Sequence, residues 1–321
     1  MNSGEVVVGI DIGGTNTEIG IVDHTGSCLG RATLQTGTYD TPEAFVHDLH
    51  LHIHRLLERF SCADQLRGIG IGAPNGNYYR GTIEHAPNLR WRGIVPLAAM
   101  LHERVHVPVV LTNDANAAAM GEKIFGGAQG MTDFIVVTLG TGVGSGFFVQ
   151  DMLVHGKSGF AGELGHIIVR EHGRECGCGR RGCLETYASA GGIKRTAVEL
   201  LAERSTASTL RHLAFDAMTA AAIAEAAQND DPIAREAFER TGKILGTALA
   251  DAVAYTSPEA IFLFGGLMNA GELLLEPTQR WFEHSLLNVY KGTVRLLPSS
   301  LHHNTGVLGA AAFVHHHLAL R

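Results

Sequence analysis

The 321-residue sequence lacks the features that mark several common classes of protein. It has no apolar run of about 18 residues, which predicts that no helix spans a membrane. The first five residues lack the basic and apolar regions of a secretory signal. Basic residues cluster only at Arg180 and Arg181 and the net charge is −7, which argues against a nucleic-acid-binding surface. We therefore expect a cytoplasmic protein with neither a nucleic-acid nor a membrane partner.

The two most familiar nucleotide-binding signatures are also missing. The sequence has no Walker A motif, and no Gly-x-Gly-x-x-Gly stands at a predicted strand–helix junction. A nucleotide bound by this chain must therefore be held by a different arrangement of backbone and side chains.

Cysteine is scarce, with five residues in the chain, yet three of them fall within eight positions. In a cytosolic protein this pattern indicates a metal site rather than a disulfide framework. Cys176, Cys178 and Cys183 together with His166 form a Cys₃His set, which is a known ligand set for tetrahedral zinc. Four protein ligands leave the metal no open position, so we predict a structural Zn²⁺. Buried cysteines with a core histidine are the alternative interpretation.

Two carboxylates flank the predicted zinc ligands. Glu163 precedes His166 by three residues, and Glu185 follows Cys183 by two. A metal would hold both carboxylates in one place, which indicates a binding pocket nearby. Ordinary surface carboxylates are the alternative.

Two segments of the chain, residues 8–23 and 135–150, resemble each other at an offset of 127. Each contains an apolar strand, a Gly/Thr turn and a second apolar strand, a pattern typical of a β-hairpin. Backbone N–H groups in such turns can close around a phosphate, although ordinary hairpin turns are the alternative. The candidate phosphate-binding residues are Asp11, Gly13, Gly14, Thr15 and Asn16 in the first segment, and Gly140, Thr141 and Gly142 in the second.

Strands alternate with helices along the rest of the chain, which predicts an α/β fold with two related domains facing each other. We place one domain at residues 1–112 plus 308–321 and the other at 113–307. Strands are predicted at residues 66–71, 107–111 and 260–264, and helices at 42–60, 115–125, 193–203, 219–227 and 232–254. Gly265 and Gly266 are weaker candidates for nucleotide contact, because a helix cap also explains them.

Two acidic residues stand out against this apolar pattern, one inside a predicted strand and one shortly after another. Asp11 lies in an apolar strand, where a carboxylate is costly unless it has a partner such as Mg²⁺. Asn113 and Asp114 follow another predicted strand, at the end where α/β proteins place ligands. Asp114 is therefore the best candidate for a catalytic base. A helix N-cap is the simpler interpretation of this pair, and the two roles are compatible.

Taken together, these motifs resemble the ROK family of sugar kinases and sugar-responsive repressors. The resemblance covers nearly the whole chain and is most specific at residues 163–166 and 176–185. It implies an actin-like, ribonuclease-H-like ATPase fold with ATP in the cleft between the domains. It also implies that Asp114 accepts the proton of a sugar hydroxyl, and that His166 offers one ring nitrogen to zinc and the other to the sugar. The residues that the resemblance places around the sugar are Asn75, Gly76, Asn88, Asn113, Asp114, Glu163, His166 and Glu185.

The sequence departs from the family pattern in one turn. The family has Gly-x-Pro-Gly after its fourth strand, whereas here Asn75 stands between Pro74 and Gly76. That turn lines the sugar, so the departure bears on which sugar is preferred. Family repressors carry a DNA-binding domain before the first turn, and only ten residues precede Asp11 here, so we expect a kinase.

We therefore predict an ATP- and Mg²⁺-dependent hexose kinase that converts glucose to glucose 6-phosphate. Kinases for N-acetylmannosamine, N-acetylglucosamine, fructose or allose would use the same residues, and polyphosphate could replace ATP. A sugar-sensing regulator without catalysis is the alternative from a different class. The resemblance also implies a homodimer.

Overall fold

The computed structural model describes residues 4–301 and 305–319. The outer ends of the predicted first domain, and part of the N-terminal stretch inspected for a signal, lie outside these residues. The strands are β1 (Val6–Ile12), β2 (Thr17–Asp23), β3 (Cys28–Leu34), β4 (Leu66–Ala73), β5 (Gly76–Asn77), β6 (Thr82–Glu84), β7 (Ile94–Val95), β8 (Val109–Asn113), β9 (Phe134–Leu139), β10 (Val143–Val149), β11 (Met152–Leu153), β12 (Ala260–Phe264) and β13 (Arg295–Pro298). The α-helices are α1 (Pro42–Arg59), α2 (Leu97–Val105), α3 (Asp114–Phe125), α4 (Glu185–Ala188), α5 (Ala190–Glu203), α6 (Ala220–Gln228), α7 (Pro232–Thr256), α8 (Glu272–Ser285) and α9 (Thr305–Ala319).

Two five-stranded sheets share one topology. Their strand orders are β3-β2-β1-β4-β8 and β11-β10-β9-β12-β13. In each sheet the first three strands form an antiparallel meander, and the last two pair in parallel with their neighbours. The predicted internal repeat is therefore present in the structure. A third, small sheet has the order β5-β6-β7.

The offset between the two repeats is not constant, which corrects the predicted value of 127. The first turn has four residues between β1 and β2, whereas the second has three between β9 and β10. β2 therefore begins at Thr17 and β10 at Val143, an offset of 126. The extra residue of the first turn is Asn16, whose carbonyl accepts a hydrogen bond from Gly13 N at 2.9 Å.

Helices α3 and α9 pack against each other between the two large sheets. α9 lies on β1 and β4, and α3 lies on β9 and β10. Glycine allows the close approach of α9, because a Cβ at Gly9 or Gly70 would overlap the backbone of that helix. The apolar core between the sheets includes Val7, Phe134 and Phe313.

The outer faces of the sheets are covered by the remaining helices. α1 and α2 share a core with the first sheet, while α5, α6, α7 and α8 cover the second. The predicted cap of α1 is confirmed, since Thr41 Oγ1 accepts from Ala44 N at 3.3 Å and Pro42 opens the helix. α5 begins at Ala190 rather than residue 193, because Ser189 caps Gly192 N. Within the described residues, none of the helices is long and apolar enough to cross a bilayer. The predicted domain boundaries stay a prediction.

Candidate active site

The carboxyl ends of three neighbouring parallel strands bring two acidic residues to one edge of the first sheet. Asp11 on β1 lies opposite Gly72 on β4, and Ala73 on β4 lies opposite Asn113 on β8. Asp114 follows directly as the first residue of α3. Because α/β proteins bind ligands beyond the carboxyl ends of their strands, this edge is the candidate active site.

Asp11 is half-buried at this edge. Burial, together with the charges of Asp114 and Glu18, raises the pKa of its carboxyl group to about 6. The beginning of α9 closes over the group, since a Cβ at Gly306 would overlap the Asp11 carboxylate. A carboxylate held beside another carboxylate in a partly buried site is suited to an oxygen-binding cation such as Mg²⁺.

The side chain of Asp114 is exposed to solvent. Desolvation by the surrounding protein nevertheless raises the pKa of its carboxyl group. Its Oδ1 accepts a hydrogen bond from Ala115 N at 2.8 Å. Asn113 caps the helix through its own Oδ1, which accepts from Asn116 N at 2.6 Å. The cap and the candidate base are therefore neighbouring residues with separate contacts.

A cavity of about 420 Å³ has Glu163 in its wall, and Glu163 is close enough to Asp114 for their charges to interact, although Asp114 itself does not line the cavity. Three of its lining residues, Asn75, Glu163 and His166, were predicted to contact the sugar. Burial raises the pKa of the Glu163 carboxyl group, His166 partly opposes this effect, and the negative charges of Asp114 and Glu185 add to it. The cavity is lined by Asn75, Glu84, His85, Phe160, Glu163, His166, Cys178 and Arg180.

A larger cavity of about 650 Å³ lies along the free edge of β8. None of the predicted site residues lines it. We therefore regard the smaller cavity, which contains the predicted sugar contacts Asn75, Glu163 and His166, as the candidate substrate site. Volume alone does not identify a site without convergent polar groups.

Three predicted sugar contacts have structural partners in the protein. Asn75 Nδ2 donates to the Glu84 carbonyl at 3.0 Å, so its amide shapes the cavity wall. A Cβ at Gly76 would overlap the Thr112 backbone, and Gly76 is buried away from the cavity lining. Asn88 is exposed beside the first turn, where a Cβ at Gly14 would lie 2.7 Å from the Asn88 carbonyl oxygen.

The predicted metal ligands are brought together in the fold. The candidate ligand atoms of His166, Cys176, Cys178 and Cys183 all lie within 4.8 Å of one another. Cys178 Sγ is 3.7 Å from Cys183 Sγ, and Cys176 Sγ is 3.6 Å from His166 Nδ1. A tetrahedral zinc, with bonds of about 2.3 Å to sulfur and about 2.0 Å to nitrogen, requires separations of about 3.8 Å and about 3.6 Å. The cluster therefore fits zinc, and Nε2 of His166 is left for another partner.

The second glycine turn is held by the chain segment that carries the metal cluster. Glu185 Oε2 accepts from Val143 N at 3.1 Å, and Glu185 Oε1 is 3.7 Å from Cys176 Sγ. Gly140 O accepts from Ala190 N at 2.9 Å. Gly265, predicted at the nucleotide site, packs against the backbone of Leu139 at the start of this turn, whereas Gly266 has open space around it.

Four lining residues of the cavity were missed from the sequence. Glu84, His85 and Phe160 belong to no recognisable motif, and only the fold brings them beside Glu163. Arg180 carried a local signal, because it follows Cys178 by two residues in the metal-binding stretch. It also donates a hydrogen bond to the His166 carbonyl oxygen.

Comparison with known proteins agrees with this geometry. The model of the ROK family matches residues 7–317. The chain belongs to the ROK family. It is 34% identical to a glucokinase from Halalkalibacterium halodurans over 96% of this chain and 94% of that protein. A ROK family glucokinase from Streptomyces griseus, solved in complex with glucose and AMPPNP, superposes with a TM-score of 0.80 at 35% identity, covering 96% of this chain and 98% of that one.

A regulator of the same family is also similar. The crystal structure of a ROK family transcriptional regulator superposes with a TM-score of 0.88 at 25% identity, covering 99% of this chain and 79% of that one. The family and the actin-like α/β fold predicted from the sequence are therefore confirmed. The roles of individual site residues stay predictions.

Proposed function

We propose that this ROK family protein transfers the γ-phosphoryl group of ATP to the 6-hydroxyl of glucose. The predicted class of hexose kinase is borne out by its relatives named glucokinase and by the kinase structure that holds glucose and an ATP analogue. The observation that carries the proposal is the placement of Asp114 directly after the carboxyl end of β8, with Glu163 of the cavity wall close enough for their charges to interact.

Asp114 is proposed as the general base. A carboxylate whose pKa is raised by burial holds a proton more readily than one in water, and it can take the proton of a sugar hydroxyl as the oxygen attacks phosphorus. Its hydrogen bond from Ala115 N fixes the orientation of the carboxylate. Glu163, His166 and Asn75 would orient the sugar from the cavity.

The donor phosphates are proposed to lie between the two glycine turns. Neither residues 13–16 nor residues 140–142 include an arginine or a lysine. Backbone N–H groups and the hydroxyls of Thr15 and Thr141 would therefore contact the phosphates directly. Asp11 would help to hold Mg²⁺, which when bound neutralises phosphate charge. Most of the rate would then come from positioning and electrostatics.

The metal cluster is proposed to be structural. Zinc bound by His166, Cys176, Cys178 and Cys183 has all four positions filled by protein, so it has no vacancy for substrate. The cluster would instead hold Glu163, His166 and Glu185 in place. The homodimer and the cytoplasmic location stay predictions.

The direct test measures ADP release by the purified protein with a panel of hexoses and N-acetylhexosamines. We expect glucose to give the highest kcat/KM with ATP as donor. A parallel assay replaces ATP with polyphosphate. Asp114→Asn should lower turnover by about 10³-fold while glucose binding remains measurable by calorimetry. Unchanged turnover in this variant would exclude Asp114 as the base.

A non-catalytic sugar sensor is the second candidate, favoured by the TM-score of 0.88 with the family regulator. The same assay separates the two functions. Glucose binding with no phosphoryl transfer from ATP or polyphosphate would favour the sensor. Turnover dependent on Asp114 would exclude it.

A further inference from the structure

One wall of the 420 Å³ cavity is a loop, residues 154–163, that leads from β11 to Glu163. Both ends of this loop are attached to β10. Val154 N donates to Phe147 O at 2.8 Å, and just beyond the other end Leu164 N donates to Ser145 Oγ at 3.2 Å. The loop also has an internal hydrogen bond, from Ala161 N to His155 O at 3.1 Å, and Ser158 and Gly159 lie between these two residues.

Asn77 supplies a support at this point. Its side chain is fully buried, and its Nδ2 donates to the Ser158 carbonyl at 2.9 Å. Its Oδ1 accepts from Arg80 N at 3.3 Å, so both ends of the carboxamide are used. The next loop residue, Gly159, packs directly on the amide, since a Cβ there would lie 2.7 Å from Asn77 Oδ1. Gly159 also has a φ of +85°, which glycine adopts without strain.

This contact joins the two sides of the cavity. Asn77 belongs to β5 of the small sheet, and β5 packs against β8 of the first large sheet. Ser158 and Gly159 belong to the loop that follows β11 of the second large sheet. The residue after Gly159 is Phe160, whose ring lines the cavity together with Glu163.

We propose that Asn77 is a positioning residue for the acceptor sugar. Its carboxamide fixes the middle of the 154–163 loop. The fixed loop presents the Phe160 ring to the apolar face of a pyranose, and it limits the positions that the Glu163 carboxylate can take against the sugar. The proposal rests on the proposed function, because it takes the cavity to be the sugar site. An aspartate at this position cannot donate to the Ser158 carbonyl, so the choice of asparagine has a chemical reason.

The test compares Asn77→Asp with wild type in steady-state kinetics and in glucose binding by calorimetry. We expect KM and Kd for glucose to rise about tenfold, the change expected for one buried hydrogen bond, while kcat and ADP affinity stay within about twofold. Asn229→Asp is the matched control. It removes an amide bond to a backbone carbonyl, Glu225 O at 2.9 Å, on the exposed end of α6, and should leave all four constants unchanged.

A double-mutant cycle with Phe160→Ala tests the route of the effect. If Asn77 acts through the loop, Asn77→Asp should weaken glucose binding much less in the Phe160→Ala variant than in wild type. Fully additive changes would show that Asn77 does not act through Phe160 and would overturn the proposal, as would a glucose KM within twofold of wild type. Should Asn77→Asp fail to fold, Asn77→Ser takes its place in the same cycle.

The outcomes distinguish this inference from the proposed function. Wild-type protein that binds no hexose would refute the sugar site itself. Wild-type protein that binds glucose, with an Asn77 variant that binds it equally well, would refute only the positioning role.

Discussion

The two glycine turns occupy equivalent places in related sheets but have different surroundings. The first turn, residues 13–16, is closed by its own hydrogen bond from Gly13 N to Asn16 O, and Thr15 and Asn16 are exposed. The second turn, residues 140–142, is also closed by its own hydrogen bond, from Gly140 N to Gly142 O at 2.9 Å, and Glu185 holds it from outside as well. The repeat thus supplied two turns of different length, and only the second is contacted by Glu185, which follows the predicted metal ligands in sequence.

This difference indicates that the two turns have different roles in binding the donor phosphates. The first turn follows Asp11 of β1 and exposes Thr15 and Asn16, and Thr15 O accepts a hydrogen bond from Gly37 N at 3.2 Å. The second turn has its shape set in advance by contacts to the segment that follows Cys183. Each prediction below perturbs one turn and leaves the other as an internal reference.

The largest effect is expected at the first turn. Asp11→Asn should lower kcat by about 100-fold or more, because the charge that would hold the cation is lost. Glu18→Gln, which alters the neighbouring carboxylate across the hairpin, is the matched control and should change kcat by no more than about twofold.

The difference in stability between Asp11→Asn and wild type should depend on pH. The pKa of Asp11 is raised from 3.8 to about 6 in the folded protein, so its contribution to stability is greatest below pH 3.8 and is lost as the pH rises through 6. Ligand-free Asp11→Asn should therefore melt at a higher temperature than wild type at pH 7.5, and the gap should narrow at pH 4.5. A lower melting temperature at pH 7.5 would show that the carboxylate is compensated within the protein.

Loss of the metal should disturb the second turn and the sugar site together. Cys178→Ser, or removal of zinc by a chelator, should lower the melting temperature by roughly 10 °C and weaken both glucose and ADP binding by about tenfold or more. Cys28→Ser, on β3 and far from the cluster in sequence, is the matched control. Full glucose affinity in a folded, zinc-free protein would break the link between the metal and the sugar site.

Glu185 connects the metal cluster to the second turn, so Glu185→Ala should weaken ADP binding in the absence of sugar. Because the variant loses a hydrogen bond to a charged acceptor, we expect the Kd for ADP to rise about tenfold. Glu163→Ala is the contrasting variant, expected to weaken glucose binding while ADP binding stays within about twofold. Equal ADP affinity in the two variants would remove the distinction between the turns.

The smallest effect separates two glycines of the same turn. A Cβ at Gly142 would overlap the Glu185 carboxylate, whereas a Cβ at Gly140 would meet open space. Gly142→Ala should therefore lower the melting temperature of the ligand-free protein by a few degrees, since the turn or the carboxylate must shift. Gly140→Ala should leave it unchanged within about 1 °C. Identical melting temperatures would show that Glu185 does not stiffen the turn.

Much of this fold could be predicted from local sequence because its signals are strong and periodic. The two hairpins combine apolar alternation with glycine turns, and α1 has a threonine cap followed by Pro42. The metal cluster was predictable because its four ligands fall within 18 residues of sequence. In each case the residues that carry the signal are close together in sequence.

The elements that were missed have weak or contradictory local signals. The strands of the small sheet have two or three residues, too short to show a period. α8 contains Pro277, which ordinarily indicates a break in a helix. The cavity was only partly predicted, because His85 and Phe160 are far apart in sequence and only the fold brings both to the cavity wall.

The packing of α9 has a consequence for synthesis on the ribosome. The two strands on which α9 lies, β1 and β4, are synthesised early in translation, yet the helix that covers them begins only at Thr305. At about 5–20 residues per second, the intervening chain takes on the order of 10–50 s to emerge. Throughout that interval the nascent chain exposes an apolar surface, so chaperones have a defined window in which to bind it.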